Sequence, residues 1–119
     1  MFRIKFIAVV IFAAIGVSAC FNTKPTGFVI ADSKTYEASL FRQNCAICHG
    51  PEANGRTLDD GKQVPSLRKA DFKFRTEAEI YKQISVGGNG MPPFRDQLTD
   101  REIKLMVKFV HDDLRKNEP

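Results

Sequence analysis

Apolar positions recur with a helical period in three stretches of the chain. Phe41, Cys45 and Cys48 follow one another on a single face, which predicts a first helix over about residues 33–47. Thr76-x-x-Glu79 has the form of a capping box and is followed by Ile80 and Ile84, so a second helix begins at Thr76 and stops at Gly87. The last helix has the clearest start, because Thr99 and Glu102 form a capping box while Leu98 before the cap and Ile103 after it supply a hydrophobic staple. Its apolar stripe is Ile103, Met106, Val107, Val110 and Leu114, and Phe109 lies beside that stripe. Residues 50–75 show weak strand signals and read as loops, with one further short helix expected near Ser66 to Ala70. The pattern is that of an all-α domain of three main helices.

The start of the chain follows a different rule. Arg3 and Lys5 precede an apolar run from Phe6 to Val17, too short for the roughly 20 residues of a bilayer span, and only small residues follow before Cys20. That is the form of a removable export signal over residues 1–19. Removing it from the 119 residues leaves 100, enough for one small domain. With 43% hydrophobic and 27% charged residues and ten Phe, the chain as a whole has the composition of a packed globule. Such a size is marginal for an unaided core, so a cross-link or a large apolar cofactor would stabilise it.

The formal charge of +4 first suggests an anionic partner. Arg3 and Lys5 leave with the signal, however, so the remainder carries 16 − 14 = +2 in mixed-sign stretches. No run of like charges, zinc-finger spacing or RNA-reading aromatic motif accompanies that surplus, which argues against nucleic acid.

Val17-Ser18-Ala19-Cys20 resembles the lipobox of bacterial lipoproteins. The resemblance implies cleavage before Cys20, a lipid on its sulfur, and an exported protein anchored to the outer face of the cytoplasmic membrane or to an outer membrane facing the periplasm. Residues 20–32, with Pro25 and Gly27 and no period, read as a tether, leaving residues 33–119 as the folded domain.

Cys45-Ala46-Ile47-Cys48-His49 is the C-x-x-C-H pattern of c-type haem attachment. Residues three and four apart on a helical turn share a face, so two sulfurs can meet two vinyl groups while one imidazole meets iron. A zinc site lacks its four ligands here, since only Cys20 and His111 remain beyond the cluster. A disulfide oxidoreductase would require a β-α-β pattern that is missing, and a bare disulfide between Cys45 and Cys48 leaves His49 unexplained. Over residues 36–114 the chain resembles the class I c-type cytochromes, which implies a small helical cytochrome c fold wrapped round one covalent haem c.

Met91 is the candidate sixth ligand, in Gly87-Gly88-Asn89-Gly90-Met91-Pro92-Pro93-Phe94. Glycines permit a tight path there, and Pro92 holds the residue before it extended. The run resembles the distal loop of class I cytochromes. Met106 lies within the apolar stripe of the last helix and is assigned to the core, and His111 to a solvated helix end. Val64-Pro65-Ser66-Leu67 resembles the family's Pro-x-Leu segment, which implies that the Pro65 carbonyl accepts the proximal imidazole N–H and that Leu67 lies against the haem. The resemblance also implies a close crossing of first and last helices, for which Ala38 or Ser39 supplies the small residue beneath Phe41.

An iron with both axial positions filled by protein changes charge without making or breaking a ligand bond, so electron transfer is the expected function, and no catalytic residue is assigned. The expected partners are a reductase or dehydrogenase donor and an oxidase or reductase acceptor, with the membrane reached through Cys20. Lys62, Arg68, Lys69, Lys73, Arg75 and Lys82 could ring the exposed haem edge near Cys48, but interleaved Asp59, Asp60, Asp71, Glu77 and Glu79 make a solvated mixed surface the simpler reading. Two other functions stay open: a ligand sensor or peroxidase-like enzyme in which Met91 dissociates, and a permanently bound electron-transfer subunit of a larger complex.

Overall fold

The computed structural model describes residues 27–69 and 73–115; the leader, Cys20 and the first part of the tether lie outside them. The elements in chain order are α1 (Tyr36–Asn44), α2 (Ala46–His49), β1 (Arg56–Thr57), β2 (Gln63–Val64), α3 (Glu77–Val86) and α4 (Asp100–Lys108), the last running on as a π-helix over Phe109–Leu114. No helix among the described residues is long and apolar enough to cross a membrane.

The first predicted helix is shorter and in two pieces. Thr35 caps α1, its hydroxyl accepting from the Ala38 amide at 3.3 Å, while the Ser33 carbonyl is taken by Arg42 at 2.9 Å. At Cys45 the backbone widens to φ −114° and ψ −34°, yet its amide still donates to the Phe41 carbonyl at 2.8 Å, so the chain turns without losing its hydrogen bonds. Gly50 then ends α2 at φ 82°.

The second and third predicted starts are present with both halves of each capping box: Thr76 with Glu79, and Thr99 with Glu102. Gly87 closes α3. The two long helices also meet through side chains, Tyr81 Oη donating to Asp100 at 2.6 Å, and Tyr36 Oη of α1 donating to Glu102 at 2.5 Å.

Two expectations for residues 50–75 are corrected. Arg56 pairs with Val64 and Thr57 with Gln63 in a small antiparallel hairpin, although the segment shows no alternating apolar pattern. Residues 66–69 form no helix, because the Leu67 amide donates to the Ala53 carbonyl at 2.9 Å and the Arg68 amide to Ser66 Oγ at 3.2 Å. Ala70 lies outside the described residues.

The core sits where α1 crosses α4 and its π continuation. Ala38 is fully buried while Ser39 is half-buried, so Ala38 is the small residue at the crossing. The Phe41 and Phe109 rings lie 6.0 Å apart, and Phe28 meets Phe109 edge-on at 5.3 Å. The whole predicted stripe of the last helix, Ile103, Met106, Val107, Val110 and Leu114, is buried.

Phe28 also shows that the tether ends earlier than the sequence suggested. Ile30 is fully buried, its amide and that of Ala31 donate to the Glu52 carboxylate at 2.9 and 2.8 Å, and Arg68 donates to the Phe28 carbonyl at 2.8 Å. Residues 27–32 are therefore a strap belonging to the domain. They lack a period because polar groups distant in sequence hold them.

Candidate functional site

An apolar cleft of about 230 Å³ opens between the helices and the two loops, with Phe41, Leu67, Ile80, Phe94, Leu98 and Val110 among its walls. All the described residues expected to carry the chemistry line it: Cys45, Cys48, His49, Pro65, Leu67 and Met91. Cys20 lies outside the described residues. Met106, only 1% exposed, touches the same cleft from within the core, whereas His111 and Phe109 do not reach it.

Cys45 and Cys48 are half-buried free thiols with no disulfide between them. Burial pushes the Cys45 thiol up to about 12, with a smaller contribution from Cys48 beside it, so it stays protonated and uncharged. Burial likewise lowers the His49 pKa, against the opposing effect of the Pro65 carbonyl, and a lowered imidazole is neutral and able to ligate at neutral pH. His49 Nδ1 is buried and no acceptor meets hydrogen-bond geometry around it, Pro65 included. Two thiols, a neutral imidazole with unspent polar capacity and apolar walls fit a covalently attached haem c. They do not fit an aqueous or phosphate ligand.

Local backbone chemistry sets these positions. A Cβ on Gly55 would collide with the Val64 and Pro65 backbone, so the glycine lets the proline segment press against the turn that carries His49, whose carbonyl receives the Gly55 amide at 2.9 Å. On the distal side Gly87 adopts φ 74° and ψ −156°, a region open essentially to glycine alone, and a Cβ there would lie 2.5 Å from the Met91 carbonyl oxygen. Gly88 and Met91 exchange backbone hydrogen bonds at 2.9 and 3.0 Å, which closes the loop that presents the thioether.

Gln83 belongs to the site although its position in the sequence gave no sign of it. Its Nε2 donates to the Gly88 carbonyl at 2.9 Å and lies 3.7 Å from Met91 Sδ, so one α3 side chain braces both loop and sulfur. Arg115 also lines the cleft, donating to the carbonyls of Leu67 at 3.2 Å and Phe74 at 2.6 Å. Both depend on long-range approach and leave no local pattern.

The basic residues divide. Arg68 is buried and paired with Glu52 at 3.0 Å, which removes it from any docking ring. Lys62 lines the cleft with its ammonium against Gly90, and Lys69, Lys73, Arg75 and Lys82 are exposed. Ile47, between the two cysteines, is 75% exposed at the cleft mouth.

The family model for cytochrome c oxidase, cbb3-type, subunit III matches residues 36–110. The cytochrome bc1 complex cytochrome c subunit of Corynebacterium efficiens is 40% identical over 72 residues, 60% of this chain and 23% of that protein. Cytochrome c6 of Parathermosynechococcus lividus is 32% identical over 79 residues, 66% of this chain and 88% of that protein. Among solved structures, KustC0563 c-type cytochrome is 32% identical with a TM-score of 0.54, over 61% of this chain and 90% of that one. The chain spans about a quarter of the length of the bc1 complex subunits it matches. Fold, cleft and these likenesses agree: the chain belongs to the cytochrome c family described as cytochrome c oxidase, cbb3-type, subunit III, and is a class I monohaem cytochrome c that binds one haem c covalently.

Proposed function

We propose that this protein carries single electrons between a membrane or periplasmic reductase or dehydrogenase and a terminal oxidase or reductase, with no catalytic turnover of its own. In this reading Cys45 and Cys48 would hold the haem through thioethers, His49 and Met91 would ligate its iron, and a lipid on Cys20 would anchor the domain at the outer face of a membrane. The observation that supports it is the convergence of the His49 imidazole, the Met91 thioether and both thiols on one apolar cleft. When bound, haem c supplies an iron that cycles between Fe(III) and Fe(II).

The chain's own groups set how easily that cycle runs. His49 is held neutral by burial, and the Pro65 carbonyl is the neighbour that can take its N–H and raise its basicity. Gln83 lies against the Met91 sulfur and, with the Gly88 backbone, braces the loop that carries it. Apolar walls exclude water and disfavour the extra positive charge of the oxidised state, which raises the reduction potential. Relatives are named as subunits of a bc1 complex and of a cbb3-type oxidase, complexes of the reductase and oxidase classes proposed here as partners.

An optical spectrum of protein matured with haem, ferric and then ferrous, followed by carbon monoxide, tests the ligand set. The expected result is a low-spin spectrum with a sulfur-to-iron charge-transfer band, indifferent to carbon monoxide, with the band lost in Met91→Ala while haem stays attached. A high-spin spectrum that shifts with carbon monoxide would overturn the carrier reading in favour of a sensor or enzyme.

A further inference from the structure

Away from the cleft, Glu77, His111 and Asp112 bring one imidazole nitrogen and two carboxylate oxygens within 4.8 Å of one another. Glu77 is the first residue of α3, whereas His111 and Asp112 are consecutive in the π-helix that ends the chain's last helix. None of the three lines the haem cleft. His111 and Asp112 are partly sheltered, their side chains 31% and 37% exposed, and His111 Nδ1 lies 2.8 Å from Asp112 Oδ1.

From this geometry we propose a second metal site, in which Glu77, His111 and Asp112 bind a divalent late first-row transition ion of the zinc class. Donors on one tetrahedral zinc ion at about 2.0–2.2 Å lie about 3.3–3.6 Å apart. The three groups, now within 4.8 Å of one another, must draw closer, which rotation of the exposed Glu77 side chain can supply. The imidazole selects among cations, favouring zinc, copper or nickel over magnesium and calcium, which prefer all-oxygen shells. Three protein donors leave the remaining positions to water.

His111 and Asp112 both lie in the π-helix, and such segments are rare and recur at functional sites. The site would tie together two walls of the haem cleft, because Ile80 lies one turn beyond Glu77 and Val110 lies beside His111, and both line the cleft. An ion that binds only the folded arrangement raises the temperature of unfolding by mass action. The site does not depend on which residue is the sixth haem ligand.

Calorimetric titration of the tag-free ferric holoprotein with zinc chloride at pH 7.5, paired with thermal unfolding followed by circular dichroism, tests the proposal. The expected result is one saturable zinc per chain and a higher midpoint in its presence. His111→Gln and Glu77→Gln should each weaken binding roughly tenfold or more while leaving the visible spectrum unchanged. Copper(II) in place of zinc should show a single coordinated nitrogen by electron paramagnetic resonance, absent in His111→Gln. Absence of saturable zinc binding, equal binding by His111→Gln, or equal competition from magnesium would each overturn the site. Should His111→Gln fold poorly, Glu77→Gln alone decides, since its side chain is exposed.

Discussion

Gly87→Ala joins a local backbone requirement to the function of the distal loop. Gly87 sits at φ 74° and ψ −156°, where an alanine costs on the order of 1–3 kcal/mol in backbone strain. Its Cβ would also lie 2.5 Å from the Met91 carbonyl oxygen and 2.8 Å from the Pro92 carbonyl carbon, backbone atoms that cannot swing aside, and such overpacking costs a further 1–3 kcal/mol or so. The sum is about 2–6 kcal/mol. At roughly 4–8 °C per kcal/mol for a domain of this size, the midpoint should fall by at least about 8 °C. Gly61→Ala is the internal control, because Gly61 also has a positive φ, +83°, but nothing lies within 4 Å of its Cβ position, so it carries the strain without the collision. Thermal unfolding of the ferric holoprotein measures both variants, and the sulfur-to-iron charge-transfer band reports whether the displaced loop still delivers Met91. Equal destabilisation by the two substitutions, with the band intact in Gly87→Ala, would refute the argument that this glycine exists for the approach of the Met91 segment.

The strap predicts that Ile30→Ala, which empties a fully buried position, costs roughly 2–4 kcal/mol in urea unfolding; a loss under about 0.5 kcal/mol, usual for surface substitutions, would return residues 27–32 to the status of a tether. Gln83→Leu removes the amide that lies 3.7 Å from Met91 Sδ and so returns electron density to the sulfur. The reduction potential should then fall in protein-film voltammetry, and a rise would assign Gln83 to loop support alone. Acid stability depends on Glu102, whose carboxyl is held down from an ordinary 4.5 to about 2, chiefly by the Tyr36 hydroxyl and then by the Thr99 amide and hydroxyl. A depressed carboxyl contributes stability above 4.5 that disappears as pH falls through about 2. The stability gap between wild type and Glu102→Gln should therefore be full at pH 6 and shrink across that window, whereas a pH-independent gap would rule out the linkage.

Chemistry and helix boundaries were legible wherever they depend on neighbours in the chain. Cys45, Cys48 and His49 declare a haem because the spacing of one turn carries the geometry, and Thr76 with Glu79 and Thr99 with Glu102 declare helix starts because a capping box closes within four residues. The stripe from Ile103 to Leu114 was readable for the same reason, since a buried helical face repeats. Period alone does not register a widened turn, so the two helices that meet at Cys45 look like one in the sequence.

Tertiary structure alone decided what pairs polar groups across long separations. Arg68 looks in the sequence like its basic neighbours, but folding buries it against Glu52, which in turn holds the amides of Ile30 and Ala31 and converts part of a tether into core. Gln83 meets Met91, and Glu77 meets His111 and Asp112, only because α3 packs beside the distal loop and the terminal π-helix. Local spacing identifies the covalently bound group and the starts of α3 and α4. The packed fold determined which polar side chains support that group, because hydrophobic burial repeats along a chain and a hydrogen bond between distant residues does not.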